Sequence, residues 1–93
     1  MNERNGWQLF LTMIGQISNE QQLNQLLEFL LTPEERDYLA TRIELVRELL
    51  KDKKTQRDIA KDLGISIAKI TRGSNNLKLI DDDLKLFLKN VLL

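Results

Sequence analysis

Residues 56–75 read QRDIAKDLGISIAKITRGSN, and the fold is decided on this stretch. Ile59 and Leu63 stand one helical turn apart, so they share a face of a short helix, and Ala60 beside them leaves room for a second helix to approach. Gly64 supplies the permissive residue of a sharp turn, Ser66 an N-cap, and Ile65 and Ile70 anchors for the helix that follows. Two short helices around a glycine form the outline of a helix-turn-helix, whose first helix braces a second that lies in the major groove of DNA. The end of the stretch departs from that outline. Where an apolar residue would pin the second helix to the body of the protein, the chain has Arg72-Gly73, a charge followed by a missing side chain.

Working outward, the pattern is helical almost throughout. Trp7, Phe10, Leu11, Ile14 and Ile17 keep the spacing of one helix face, and Leu9 and Met13 widen it. Leu23, Leu26, Leu27 and Leu30 repeat the pattern in a second helix, with Phe29 and Leu31 in excess of one core face. Thr32-Pro33-Glu34-Glu35 is a strong helix start: Thr32 as N-cap, proline at the first helical position, and Glu35 at capping-box spacing. The third helix is expected over about 33–51, with Leu39, Ile43, Val46 and Leu50 inward. Thr55 caps a short helix over 56–62, Ser66 caps the reader, and Asp81 caps a last helix whose Leu84, Phe87, Leu88 and Val91 make an amphipathic face. Asp81-Asp82-Asp83 reads as this cap with favourable dipole interactions rather than as a metal site. The expectation is an all-α, six-helix protomer forming a single domain over 1–93: core helices at about 5–50, the helix-turn-helix at 55–78, and a C-terminal core helix at 81–93. Helices so broadly apolar need cover on several sides. In a chain of 93 residues the expected cover is a second copy wound against the first, with Trp7 in the dimer core.

Composition narrows the function. The chain has neither cysteine nor histidine, so Cys/His zinc sites and Ser-His or Cys-His catalysis are excluded, and no paired, buried-looking carboxylates offer acid–base chemistry. The adjacent acids, Glu34-Glu35 and Asp81-Asp82-Asp83, open helices and do not read as a buried pair, so an enzyme is the least expected reading. No secretory signal or membrane-length apolar run is present, which points to the cytoplasm and to no membrane partner. Formal charge is zero overall, yet Lys51–Lys78 holds eight basic residues against three acidic ones, and the rest of the chain is correspondingly acidic. Such asymmetry gives a small domain one cationic face suited to a phosphate backbone.

Two stretches together, LTPEERDYLATRIELVRELL (31–50) and QRDIAKDLGISIAKITRGSNNLK (56–78), resemble the tryptophan repressor family, whose most distinctive run is ITRGSN, here Ile70–Asn75. The resemblance covers roughly residues 29–93 well and the first twenty-eight only in helical character. It implies a homodimer that binds operator DNA when loaded with L-tryptophan as corepressor, with no metal. It also offers a reason for the open seam: a ligand fills it. By this likeness Arg42 and Arg72 match the arginines that flank the indole, since a planar guanidinium stacks on a flat ring and Arg72 can also hold the carboxylate. Gly73 leaves room for the ligand, Thr32 matches a hydroxyl that bonds the carboxylate, and Phe29 and Leu31 end the second helix, where unpaired carbonyls suit an ammonium group. Asn76 stands near the ammonium where the family usually has serine.

For DNA the family pattern falls on Gln56, Arg57 and Lys61 of the first helix and on Ile67, Ala68, Lys69, Thr71 and Arg72 of the reader. Lysine and arginine serve guanine edges or phosphates, while small Ala68 and Thr71 allow close approach. Lys69 replaces a threonine of the family and Ile65-Ser66 replaces smaller turn residues, changes that bear on operator choice and on turn stiffness. Taken from the residues alone, alternatives stay open: Arg42 as a surface partner of Glu35, Thr32 as a cap only, Arg72 as a phosphate contact, Ile67 as core. Two other functions fit the pattern: a ligand-independent helix-turn-helix protein of the transposase type, and a helical interaction module whose basic face meets an acidic partner.

Overall fold

The protein is all-helical. The computed structural model describes residues 5–93 and contains six helices, with no strand among the described residues: α1 Gly6–Gln16, α2 Glu20–Leu30, α3 Pro33–Lys51, α4 Gln56–Leu63, α5 Ile67–Leu79 and α6 Asp82–Leu92. They fall into two compact units that divide at Arg36/Asp37.

In the first unit every helix start is set by a short polar side chain. Asn5 accepts a hydrogen bond from the Gln8 N–H at 3.0 Å and Asn19 from the Gln22 N–H at 2.8 Å. At the head of α3 the capping box closes in both directions: the Glu35 N–H donates to Thr32 Oγ1 at 3.1 Å, and the Thr32 N–H donates to Glu35 Oε1 at 2.9 Å. The Arg36 guanidinium reaches back to the Glu28 carbonyl near the end of α2, at 3.4 Å, so a cation covers a carbonyl left over by that helix. The apolar surface of this unit is largely uncovered. Trp7 is 69% exposed and Phe29 83% exposed, and neither α1 nor α2 has a buried residue.

The second unit is organised around the helix-turn-helix. Thr55 caps α4 by accepting from the Asp58 N–H (3.1 Å), Ser66 caps α5 from the Lys69 N–H (3.2 Å), and Asp81 caps α6 from the Leu84 N–H (2.8 Å), as expected for each. Gly64 adopts the left-handed conformation, with φ 66°. There the Ile65 N–H bonds the Ala60 carbonyl at 3.1 Å, the closure of a Schellman turn. Ile65 itself packs on the core beyond it. Ile59 (1% exposed) and Ile70 (0%) are fully enclosed with Leu45 of α3, and Leu49, Ala60, Leu63 and Ile65 pack around the three. These are the anchors read from the sequence, and α4 and α5 pack directly against each other.

One expectation is corrected. The third-helix stripe Leu39, Ile43, Val46 and Leu50 does not face this core; Leu39 and Ile43 are each 44% exposed, and Leu45 and Leu49 face it instead. α3 carries two apolar rows roughly a third of a turn apart. The row that goes inward is the one against which α5 can come close, and Gly73 decides which that is. A Cβ on Gly73 would stand 3.0 Å from Leu45 Cδ2 and 3.8 Å from Leu49 Cδ1, so the missing side chain is what lets α5 seat on Leu45.

Candidate functional site: a cleft behind the reading helix

The seam at Arg72-Gly73 opens beside this close contact. A cleft of about 820 Å³ lies between α3, the α4–α5 turn, α5 and α6. Its floor is apolar, with Leu45, Val46, Leu63, Ile65 and Leu77, and Arg42, Arg72, Gly73 and Asn76 all line it. The grouping follows from helix periodicity. On α5, positions 69, 72, 73 and 76 share one flank, while Ile70 and Leu77 point into the core and the floor. Arg42 is brought to the same cleft from α3, four residues after Tyr38, which also lines it. Among the described residues neither arginine makes an ion pair. The two guanidinium groups therefore keep donors for an incoming group.

Sequence reasoning assigned Gly73 to the opening alone, and the structure adds a packing role. The glycine borders the cleft and at the same time receives Leu45. Phe29, Leu31 and Thr32 belong to the other unit, where Phe29 and Thr32 are exposed and Leu31 is half-buried. Thr32 there serves as the α3 cap.

Several cleft residues were not anticipated. Tyr38 and Thr41 come from α3, and Ile80, Leu84 and Leu88 from the chain around α6. Tyr38 and Thr41 precede Arg42 by four residues and one, a spacing visible in the sequence. No local signal indicated that α6 closes the far side.

The prospective DNA face lies on the outer surface of the helix-turn-helix. Gln56, Arg57, Lys61, Ile67, Ala68, Lys69, Thr71 and Arg72 are all exposed. Two of them are restrained. The Thr71 hydroxyl donates to Gln56 Oε1 at 3.0 Å, tying the reader to the start of α4. The Lys69 ammonium lies 5.6 Å from the Tyr38 ring centroid, over its face, a cation–π contact across the mouth of the cleft that an exposed pair makes worth about 0.5–1 kcal/mol.

Behind α4 the cations are organised differently. Lys54 donates to Asp62 at 2.8 Å and to Glu48 at 3.5 Å, and Lys51 pairs with Glu48 at 3.7 Å. The hydrogen bond to Asp62, followed by the charges of Asp62 and Glu48, raises the Lys54 pKa above its ordinary 10.5 despite some desolvation. Lys54 thus fastens the α3–α4 connection, and part of the cationic excess counted along the sequence is already answered within the fold. Among the described residues no cluster of three acidic groups could hold a metal ion, and Asp81 is engaged as a cap. None of the described helices is long and apolar enough to cross a membrane.

The sequence that builds this helix-turn-helix has relatives among known proteins. The family model for the Trp repressor protein matches residues 5–92. The chain belongs to the Trp repressor family. Relatives agree along nearly the whole length. A Trp operon repressor homolog of Chlamydia trachomatis serovar D is 45% identical over 87 residues, covering 94% of this chain and 93% of the relative. One from Vibrio vulnificus is 43% identical over 90 residues, covering 97% and 88%, and one from Vibrio cholerae is 42% identical over 87 residues, covering 94% and 84%. Membership in the Trp repressor family makes this chain a transcription regulator rather than an enzyme.

Proposed function

We propose that this member of the Trp repressor family represses transcription as an intertwined homodimer that binds operator DNA when L-tryptophan occupies the cleft behind α5, and that it does so in the cytoplasm. The observation that carries the reading is the convergence of Arg42, Arg72, Gly73 and Asn76 on one largely apolar cleft directly behind the reader. Its chemistry suits the ligand. The apolar floor accepts an indole, the two guanidinium groups can stack on the ring, Arg72 can also hold the carboxylate, and the Asn76 amide oxygen can accept from the ammonium. We assign Thr32 to the carboxylate and Phe29 and Leu31 to the ammonium, with the end of α2 supplying negative potential.

In this proposal Gln56, Arg57 and Lys61 on α4 position the protein on phosphates, and Ile67, Ala68, Lys69, Thr71 and Arg72 on α5 face the groove. Ligand acts by holding α5 in the pose that fits DNA. Dimerisation rests on the exposed apolar surface: with only three of the described residues buried and side chains such as Trp7, Phe29, Phe87 and Val91 more than half exposed in a single chain, cover by a second copy is the economical solution. The 93 residues would then act as a single domain, with 5–50 and 81–93 in the shared core and 55–78 as the reader.

A DNA-selection assay run with and without L-tryptophan tests the proposal. Enrichment of a two-fold symmetric site only in the presence of the amino acid is expected. Equal enrichment in both arms would point to a ligand-independent reader, and enrichment in neither would remove DNA from the reading.

A further inference from the structure

The flank of α5 opposite the tryptophan cleft carries a second opening, of about 350 Å³, and its chemistry is different. Lys78 enters it from α5, Lys85 and Lys89 from α6, and Gln56 from the start of α4. On α6 these lysines are one turn apart, so they form a row of their own beside the apolar row of Leu84, Phe87, Leu88 and Val91. Three carboxylate-bearing or paired groups also face the cleft: Glu48, Asp52 and Lys54. Glu48 is already answered by Lys51 and Lys54, which leaves Asp52 alone against three lysines that make no ion pair among the described residues. The cleft is therefore net cationic in a protein whose formal charge is zero.

We propose that Lys85 and Lys89, with Lys78, form a track for the phosphate backbone of duplex DNA alongside the helix-turn-helix, so that α6 contacts DNA as well as closing the tryptophan cleft. The inference rests on the DNA-binding reading above and extends it to an element that the sequence suggested was purely structural. Its support is continuity. Gln56, which lines the cationic cleft, accepts the hydrogen bond from Thr71 on the reader, leaving its own amide hydrogens free to donate. Thr71 and Lys78 lie two turns apart on the same side of α5, about 10 Å along its axis. The first N–H groups of α4 add partial positive charge beside Gln56. A phosphate strand that meets Thr71 and Gln56 is thus led along α5 toward the lysine row of α6.

The test is the salt dependence of binding to a mixed-sequence DNA duplex, with the protein saturated in L-tryptophan. Each phosphate contact removed lowers the slope of log K against log salt by about 0.9. Because a homodimer carries each lysine twice, the double variant Lys85→Gln/Lys89→Gln removes two contacts per protomer and is expected to lower it by about 3.6, weakening all sequences alike. Lys89→Gln alone, at an exposed position, is expected to give about half that effect and serves if the double variant folds poorly. Arg57→Gln/Lys61→Gln on α4 is measured in parallel. If the α4 pair lowers the slope while both α6 variants keep the wild-type value, the inference is overturned and the DNA-binding reading stands. If the wild type binds no duplex, both fall. Binding of a polyglutamate peptide that depends on the α6 lysines, with the DNA slope unchanged, would also overturn it in favour of an acidic protein partner.

Discussion

Replacing Gly73 by alanine sets two effects of similar size against each other. In the interior of α5 the change gains about 1 kcal/mol of helix propensity. The new methyl would stand 3.0 Å from Leu45 Cδ2, against the roughly 3.5–4.0 Å that carbon atoms prefer. Leu45 is only 5% exposed and is held by Ile59 and Ile70, so relief requires moving a side chain that the small core has fixed, and overpacking of this kind costs about 1–3 kcal/mol. The net expectation is a destabilisation of about 0–2 kcal/mol. Leu45→Ala alone should cost about 2–5 kcal/mol, but it also removes the atom that the new methyl strikes. In that background Gly73→Ala should turn stabilising by about 1 kcal/mol. The coupling across the cycle is then about 1–3 kcal/mol. Urea unfolding of the four proteins at one fixed protein concentration measures it. Strict additivity, with Gly73→Ala stabilising the wild type by its full propensity gain, would refute the reasoning. By the same geometry Gly73→Leu does more than plug the cleft; it displaces Leu45 and weakens the fold.

Three further outcomes are expected. Thr32→Ala removes one arm of the capping box and should cost about 1 kcal/mol in thermal or urea unfolding; no change would mean that the Thr32–Glu35 pair contributes nothing to α3. Arg72→Ala, at an exposed position, should leave the circular dichroism spectrum intact while weakening L-tryptophan binding roughly 10- to 150-fold in calorimetry, the range for losing a charged hydrogen bond of about 1.5–3 kcal/mol. Because the folded pKa of Lys54 lies above 10.5, its pairing with Asp62 supports the fold fully below pH 10.5 and is lost as pH rises through the folded value; Lys54→Gln should therefore lessen the alkaline fall in stability and leave the range of about pH 5–8 flat. An unchanged alkaline profile would count against the Lys54 clamp.

Much of the fold was legible because it is locally encoded. Thr32, Thr55, Ser66 and Asp81 each announce a helix start, and each accepts the expected backbone hydrogen bond. Gly64 marks the turn, and Ile59 and Ile70 mark the faces that meet across it. The choice between the two apolar rows of α3 was not legible, since periodicity reports that a face is apolar and says nothing of what will cover it. The more regular row, with Leu39 and Ile43, is half exposed, while Leu45 is selected by its fit to Gly73. The same limit applies to the candidate site. Arg42, Arg72, Gly73 and Asn76 could be named from the stretches that carry the family resemblance, but the lining from Ile80, Leu84 and Leu88 depends on where α6 returns. The turning of Lys69 over Tyr38 is likewise a contact between side chains far apart in the chain, beyond any local pattern.

The most direct test of a ligand-gated reader is a pair of calorimetric titrations with L-tryptophan, one on the free protein and one on the protein saturated with DNA carrying a selected site. If the amino acid and DNA favour the same pose of α5, linkage requires each to tighten the other by one factor, about 5- to 150-fold for a coupling of about 1–3 kcal/mol. The expected result is saturable binding in both titrations, tighter by that factor in the presence of DNA. Equal affinity in the two would contradict gating, and no saturable binding in either would contradict the tryptophan site itself.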